Sequence, residues 1–387
     1  MAADFEAIRP YHDHEVADVL QRLLHDDAFL NALTRYRFPK LASYCAPLLR
    51  ALIAWRLGRE LRGINSVAQL QTRIEPYVDR VIEHATDGIS YSGLEHLNDQ
   101  QAYLFLANHR DIVMDPAFVN YAVYHANLPT PRIAIGDNLL QKPFVSDLMR
   151  LNKSFIVHRS ITGRREKLSA FQTLSAYINH SIADGHSIWI AQAEGRAKDG
   201  DDATDAAILK MFHMSRKDQA FAEVIASLNL VPVSISYEYD PCDVDKAREL
   251  EIRARTGSYQ KQPGEDDLSI ARGITGHKGR VHIAFSRIDA RQSPDAKALA
   301  QACDRAILGN YRLFPVHYLA WERWGERDDS LQVPSASSLF SATEISRAES
   351  QLNQRLARCS PAEQPYLLMQ YATPVRNQYR LKLTPSA

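Results

Sequence analysis

The stretch Leu106-Ala107-Asn108-His109-Arg110-Asp111-Ile112-Val113-Met114-Asp115 decides the fold. An apolar run from Tyr103 to Leu106 stops abruptly at Asn-His-Arg-Asp, and a second apolar stretch follows from Ile112 through Ala117, Phe118 and Val119. That pattern reads as a strand feeding a helix, with His109 at the mouth of the turn. Open α/β sheets build their sites from polar clusters at the carboxyl ends of strands. A histidine with a carboxylate close behind is a general-base pair, because the carboxylate fixes the imidazole tautomer and raises its basicity. A surface turn with a capping asparagine and two solvated acids competes with this reading, and the stretch alone does not separate the two.

Outward from this stretch, short apolar runs alternate with helical ones from about residue 87. Strands are predicted at Ala102–Ala107, Arg132–Ile135, Ser154–His158, Ser187–Ala191, Val231–Tyr237 and Arg280–Phe285, and helices at 114–126, 141–151, 164–184 and 217–228. The βα alternation predicts an α/β fold with a mostly parallel sheet flanked by helices. Residues 14–85 are strand-poor, with Val16, Val19, Leu20, Leu23 and Leu24, and later Leu70, Ile74, Val78 and Ile82, at helical spacing. They predict an N-terminal helical subdomain. The expected division is 1–86 N-terminal helices, 87–290 α/β domain, and 291–387 C-terminal helical extension ending in a polar tail after 326. Residues 256–275, with Gly257, Pro263, Gly264 and Gly273, read as a long loop or lid.

Lys+Arg and Asp+Glu both number 46, so overall charge predicts no attraction to nucleic acid or membrane, and any such attraction must be local. Cys45, Cys242, Cys303 and Cys359 are far apart and show no metal-ligand spacing, which points to a reducing compartment. The first residues show no signal-peptide pattern, and no apolar run approaches the ~20 residues of a spanning helix. Leu41–Leu61 mixes Leu48, Leu52 and Trp55 with Arg50, Arg56 and Arg59. It is expected to pack into the core with snorkelling arginines, against the alternative of lying on a lipid surface. His12-Asp13-His14-Glu15 reads as a solvated helix start rather than a metal site, because consecutive side chains point different ways.

Three further blocks end in charged turns. Leu151-Asn152-Lys153-Ser154-Phe155-Ile156-Val157-His158-Arg159 closes a strand on Arg159, where a guanidinium can hold a phosphate bidentately. Between 142 and 167, Lys142, Arg150, Lys153, Arg159, Arg164, Arg165 and Lys167 face only Asp147 and Glu166. Ile188-Trp189-Ile190-Ala191-Gln192-Ala193-Glu194-Gly195-Arg196 ends in a glycine turn flanked by opposite charges. Leu230-Val231-Pro232-Val233-Ser234-Ile235-Ser236-Tyr237 reads as a buried central strand. There is no Gly-x-Ser-x-Gly elbow, no Gly-rich phosphate loop, no His-Glu-x-x-His and no Cys-x-x-Cys.

In this order the four blocks resemble the PlsC-like glycerolipid acyltransferase family, over roughly residues 90–240. The family's His-x4-Asp motif looks like Asn108-His109-Arg110 with Asp115. Its second block looks like Phe155-Ile156 with Arg159, its third like Glu194-Gly195-Arg196, and its Val-Pro-Val strand like Val231-Pro232-Val233. The longer strings look like a bacterial branch. Three departures stand out. Five residues, not four, separate His109 from Asp115, so either the turn is one residue longer or Asp111 takes part, and Asp115 continues the pattern. Lys153 replaces the family's glycine, and no threonine stands between Gly195 and Arg196.

The resemblance implies an acyltransferase that moves a fatty acyl chain from acyl-CoA or acyl carrier protein to a hydroxyl of a glycerol phosphate or lysophospholipid. His109 is the implied base and Asp115 its support. Arg159, Glu194, Gly195 and Arg196, with Asn108, Arg110 and Lys153, are the implied substrate contacts. No cofactor, metal or nucleic acid is implied. The implied setting is cytoplasmic, peripheral on the inner face of the cytoplasmic membrane. A thioesterase and a non-catalytic lipid- or acyl-carrier-binding protein are the alternatives.

Overall fold

The computed structural model describes residues 5–383. Among the described residues seven strands are present: β1 (Ile89–Ser92), β2 (Leu104–Ala107), β3 (Arg132–Gly136), β4 (Ser154–Val157), β5 (Ile188–Ala191), β6 (Leu230–Tyr237) and β7 (Val281–Phe285). The pairings β1–β7, β2–β5, β2–β6 and β3–β4 are parallel, and β6–β7 is antiparallel. With helices between the strands and at both ends, this is the predicted α/β class. The six predicted strands lie within two residues of their expected bounds. β1 was not expected; Ile-Ser-Tyr-Ser is too short and too polar to stand out.

The chain falls into two compact units, Met1–Arg80 with Pro131–Tyr177, and Val81–Thr130 with Ile178–Ala387. In the second unit the strand order is β1-β7-β6-β2-β5. β2, β5 and β6 are buried along their whole length, which explains their near-continuous apolar sequences. Pairing of β6 with β7 begins at Val233, just past Pro232, so the proline precedes that ladder.

The C-terminal extension belongs to this unit's core. Helices Pro315–Arg323, Ala342–Leu356 and Gln364–Leu383 bury Val316, Leu352, Leu367 and Val375 in one cluster with Tyr239 and Val244. The segment after 326, expected as a polar tail, is mostly helical and partly core. Residues 256–275 are not a long loop either. Gly257 ends the helix Asp243–Thr256 in the left-handed region, Gly264 caps the next, and Glu265–Thr275 is helical. Its first turn, Glu265-Asp266-Asp267, complements the helix dipole. The glycines that read as loop residues are the punctuation between two helices.

In the first unit, Val16, Leu20, Leu23 and Leu70 pack with Phe144 and Leu151, so the N-terminal helices share a core with the helix Pro143–Leu151. Asp147 on that helix accepts hydrogen bonds from Tyr11 and Arg22 at 2.6 and 2.8 Å. His12 caps the helix Asp13–Leu24 at the surface, as expected of a solvated helix start. The helix Ala42–Glu60 overturns its expectation. None of its residues is buried, and Tyr44, Leu48 and Trp55 are 88%, 76% and 59% exposed.

Candidate active site

β2 ends at Ala107, and the following turn is fastened to β6 by a side chain that imitates a peptide. Asn108 Oδ1 accepts from Ile235 N at 2.7 Å, and its Nδ2 donates to Ile235 O at 3.0 Å. Beyond it, Arg110 is buried, with Nη2 on Asp202 Oδ2 at 2.6 Å and its guanidinium 4.9 Å over the Tyr311 ring. Lys246 donates to Arg110 O at 2.8 Å. Burial pushes the Asp202 carboxyl up, while the Arg110 guanidinium and the Asn108 amide pull it back. Asn108 and Arg110, which the resemblance implied as substrate contacts, are buried, and their contacts hold the turn in place.

That turn puts His109 at the carboxyl end of β2. Its Nδ1 lies 2.8 Å from Asp115 Oδ2. A carboxylate only accepts, so Nδ1 carries the proton and the Nε2 lone pair is left for another molecule. The ring meets Trp189 of β5 edge-on, centroids 5.7 Å apart. The extra residue in the His–Asp spacing is absorbed before the helix Met114–His125 begins, so Asp115 sits in its first turn. Asp115 is completely buried, and it also accepts from Arg110 N, Asp111 N and Tyr237 Oη at 2.6, 2.9 and 2.5 Å. Asp111 does not support His109. Its Oδ1 accepts from Val113 N and Met114 N at the helix start, and burial beside Asp115 pushes its carboxyl up.

The Glu194-Gly195-Arg196 turn reaches the dyad through its neighbour, since Ala197 N donates to His109 O at 2.8 Å. Gly195 has φ +79°, so glycine is required there by conformation. Glu194 is exposed, and Arg196 Nη1 donates to Ser269 Oγ at 2.7 Å. Lys153 and Arg159 lie in the first unit. Lys153 has φ +59°, which accounts for a glycine being the ordinary choice at its position. Burial and the nearby Arg132 charge lower its ammonium to about 8. Arg159 is exposed, and its backbone N–H donates to Asp137 Oδ1 at 3.1 Å.

Among the described residues no serine, threonine or cysteine side chain is hydrogen-bonded to His109. Cys242 is no candidate nucleophile, since burial and Asp240 push its thiol up. No group of three or more described His, Cys, Asp or Glu side chains is placed to hold a metal. A buried acid orienting a histidine in this way is the arrangement that general-base catalysis uses. The sequence reading missed Tyr237, Asp202 and Ser269. Tyr237 reads as core, and only the β2–β6 pairing brings it beside the turn.

Comparison with known proteins finds similarity over the part of the chain that carries the site. Residues 88–236 match the family model described as Acyltransferase. The dihydroxyacetone phosphate acyltransferase of Bos taurus is 25% identical over 194 residues, 50% of this chain and 27% of the bovine protein. The glycerol-3-phosphate acyltransferase of Pseudoalteromonas translucida is 27% identical over 196 residues, 49% of this chain and 22% of that protein. The chain spans about a quarter of the length of these curated relatives. The crystal structure of the 1-acyl-sn-glycerophosphate acyltransferase PlsC from Thermotoga maritima aligns with TM-score 0.37 and 12% identity, over 72% of this chain and 92% of that one. Over residues 88–236 the chain is thus similar to acyltransferases.

Proposed function

We propose that the protein transfers an acyl chain from a thioester, on coenzyme A or acyl carrier protein, to a hydroxyl of a phosphate-bearing glycerol acceptor. The observation that carries this reading is the His109–Asp115 pair, with Nδ1 held at 2.8 Å and Nε2 unengaged among the described residues. His109 Nε2 takes the proton of the acceptor hydroxyl as its oxygen attacks the thioester carbonyl. The tetrahedral oxyanion collapses, the C–S bond breaks, and the departing thiolate takes the proton back from Nε2. Asp115 keeps the imidazole oriented and offsets its positive charge. A base of this kind contributes about 10²–10⁴-fold. The matched relatives are named for glycerol 3-phosphate and dihydroxyacetone phosphate, which supports a small phosphorylated acceptor. Arg196, Glu194 and Gly195 are its proposed contacts.

No helix among the described residues is long and apolar enough to cross a membrane. A peripheral setting at an anionic lipid surface is supported by the bare apolar side of the helix Ala42–Glu60. Tyr36, Leu41, Tyr44, Leu48, Leu52 and Trp55 are each at least half exposed. Between residues 35 and 62 seven cations stand against the single carboxylate Glu60, and Arg59 lies 5.1 Å over the Trp55 ring. Large exposed apolar side chains ringed by arginine suit an interface of acyl chains and anionic headgroups. Flotation with phosphatidylglycerol vesicles at low salt should carry the protein upward, and Leu48→Asp with Trp55→Glu should abolish this. Flotation unchanged in that variant removes this helix from the interface.

Incubation with acyl-CoA and, separately, glycerol 3-phosphate, dihydroxyacetone phosphate and 1-acylglycerol 3-phosphate tests the reaction. Mass spectrometry should find one acylated product. Free fatty acid released without acceptor would instead make the protein a thioesterase.

A further inference from the structure

The four hydrogen bonds to Asp115 divide unevenly between its oxygens. Oδ2 accepts three, from His109 Nδ1, Arg110 N and Asp111 N. Oδ1 accepts one, from the Tyr237 hydroxyl at 2.5 Å. The carboxylate is wholly buried, so no solvent stands ready to replace that donor. We propose that Tyr237 is the positioning residue of the dyad: its hydroxyl fixes the Asp115 carboxylate and sets how strongly that carboxylate draws the imidazole proton. The inference rests on His109 being the general base.

The sheet makes Tyr237 a rigid donor. It is the last residue of β6, which is paired on both sides and buried throughout. Ala107 pairs with Val233, so β6 runs on past the end of β2 and carries Tyr237 alongside the His109 turn. The Tyr237 ring packs against Phe118 of the helix that bears Asp115, centroids 5.7 Å apart. Burial and the nearby carboxylates of Asp115, Asp111 and Asp240 push the phenol well above its ordinary range, so it stays protonated and donates. Lys278 also lies near Asp111 and Asp115. A change confined to the phenol leaves all of these in place.

Without the hydroxyl, Oδ1 loses its partner and the carboxylate charge weighs more on Oδ2. The dyad then holds its proton more tightly, whichever of the two residues carries it. The test is the ring-proton NMR titration of His109, assigned by the signal missing in His109→Ala. In Tyr237→Phe the midpoint should rise by about half to one pH unit. With 3-fluorotyrosine at 237, a stronger donor of nearly the same size, it should fall. This second variant keeps the buried hydroxyl and decides the matter if Tyr237→Phe does not fold. In turnover, kcat on the acid limb should drop about three- to tenfold in Tyr237→Phe, with KM little changed, as that limb moves with the midpoint. Titrations unchanged in both variants would overturn the inference and leave Tyr237 a packing residue. Full turnover in His109→Ala would instead overturn the general-base reading, while the titration would still report whether Tyr237 governs the pair.

Discussion

Replacing Arg110 with methionine removes one half of a buried ion pair and leaves Asp202 without its direct partner. The two side chains are 7% and 1% exposed and meet at 2.6 Å. Removing one partner of such a pair costs about 3–5 kcal/mol, because the remaining charge is buried without its direct counter-ion. The Asn108 amide still donates to Asp202 at 3.2 Å, which argues for the lower end, about 3 kcal/mol. Urea unfolding followed by circular dichroism should show this loss. Adding Asp202→Asn should recover much of it, since an amide tolerates burial without a partner charge. The sign of the pH effect is fixed. In Arg110→Met the folded state binds a proton on Asp202 that the unfolded chain, with its carboxyl near about 3.9, does not bind at neutral pH. The gap to wild type should therefore narrow as pH falls from 8 toward 5, by at most about 1.4 kcal/mol per unit. An unchanged unfolding midpoint together with a raised KM for a phosphorylated acceptor would refute this, and would return the guanidinium to the substrate.

Two other stability predictions rest on backbone and burial. Lys153 has its ammonium lowered to about 8 by burial, against about 10.4 in an unfolded chain. Between those values the unfolded state binds more protons, so this residue makes stability rise with pH there; Lys153→Met should flatten the rise between pH 8 and 9.5 in denaturant titrations. At Gly200 the backbone has φ +78°, and a Cβ would stand 2.3 Å from Gln370 O on the helix Gln364–Leu383. Gly200→Ala should lower stability by about 2–4 kcal/mol, read as an earlier thermal midpoint.

The dyad and the sheet were legible because both leave local marks. β2, β5 and β6 are buried on both faces, so their sequences are apolar runs, and each ends where polar residues cluster. The His109–Asp115 pair forms across five residues because those residues are turn and the helix begins only at Met114. What was hidden depends on neighbours in space. Asn108, His109, Arg110 and Asp111 are consecutive polar residues, and nothing local tells that Asn108 mimics a strand peptide while Arg110 points to Asp202, 92 residues on. Tyr237 reads as an ordinary core aromatic until the sheet order sets β6 beside β2. The helix Glu265–Thr275 was masked by its own glycine caps. The bareness of the helix Ala42–Glu60 was misread because an apolar helix with arginines carries the same pattern whether a core or a lipid surface receives it.

The most direct measurement is acceptor-dependent release of coenzyme A from an acyl-CoA, or of the carrier thiol from acyl-ACP, by wild type and by His109→Ala with an unchanged circular dichroism spectrum. Release that requires a glycerol-phosphate acceptor in the wild type and falls at least about 10²-fold in the variant is the expected result. Equal release by the two proteins would show that His109 is not the base and that the chemistry lies elsewhere.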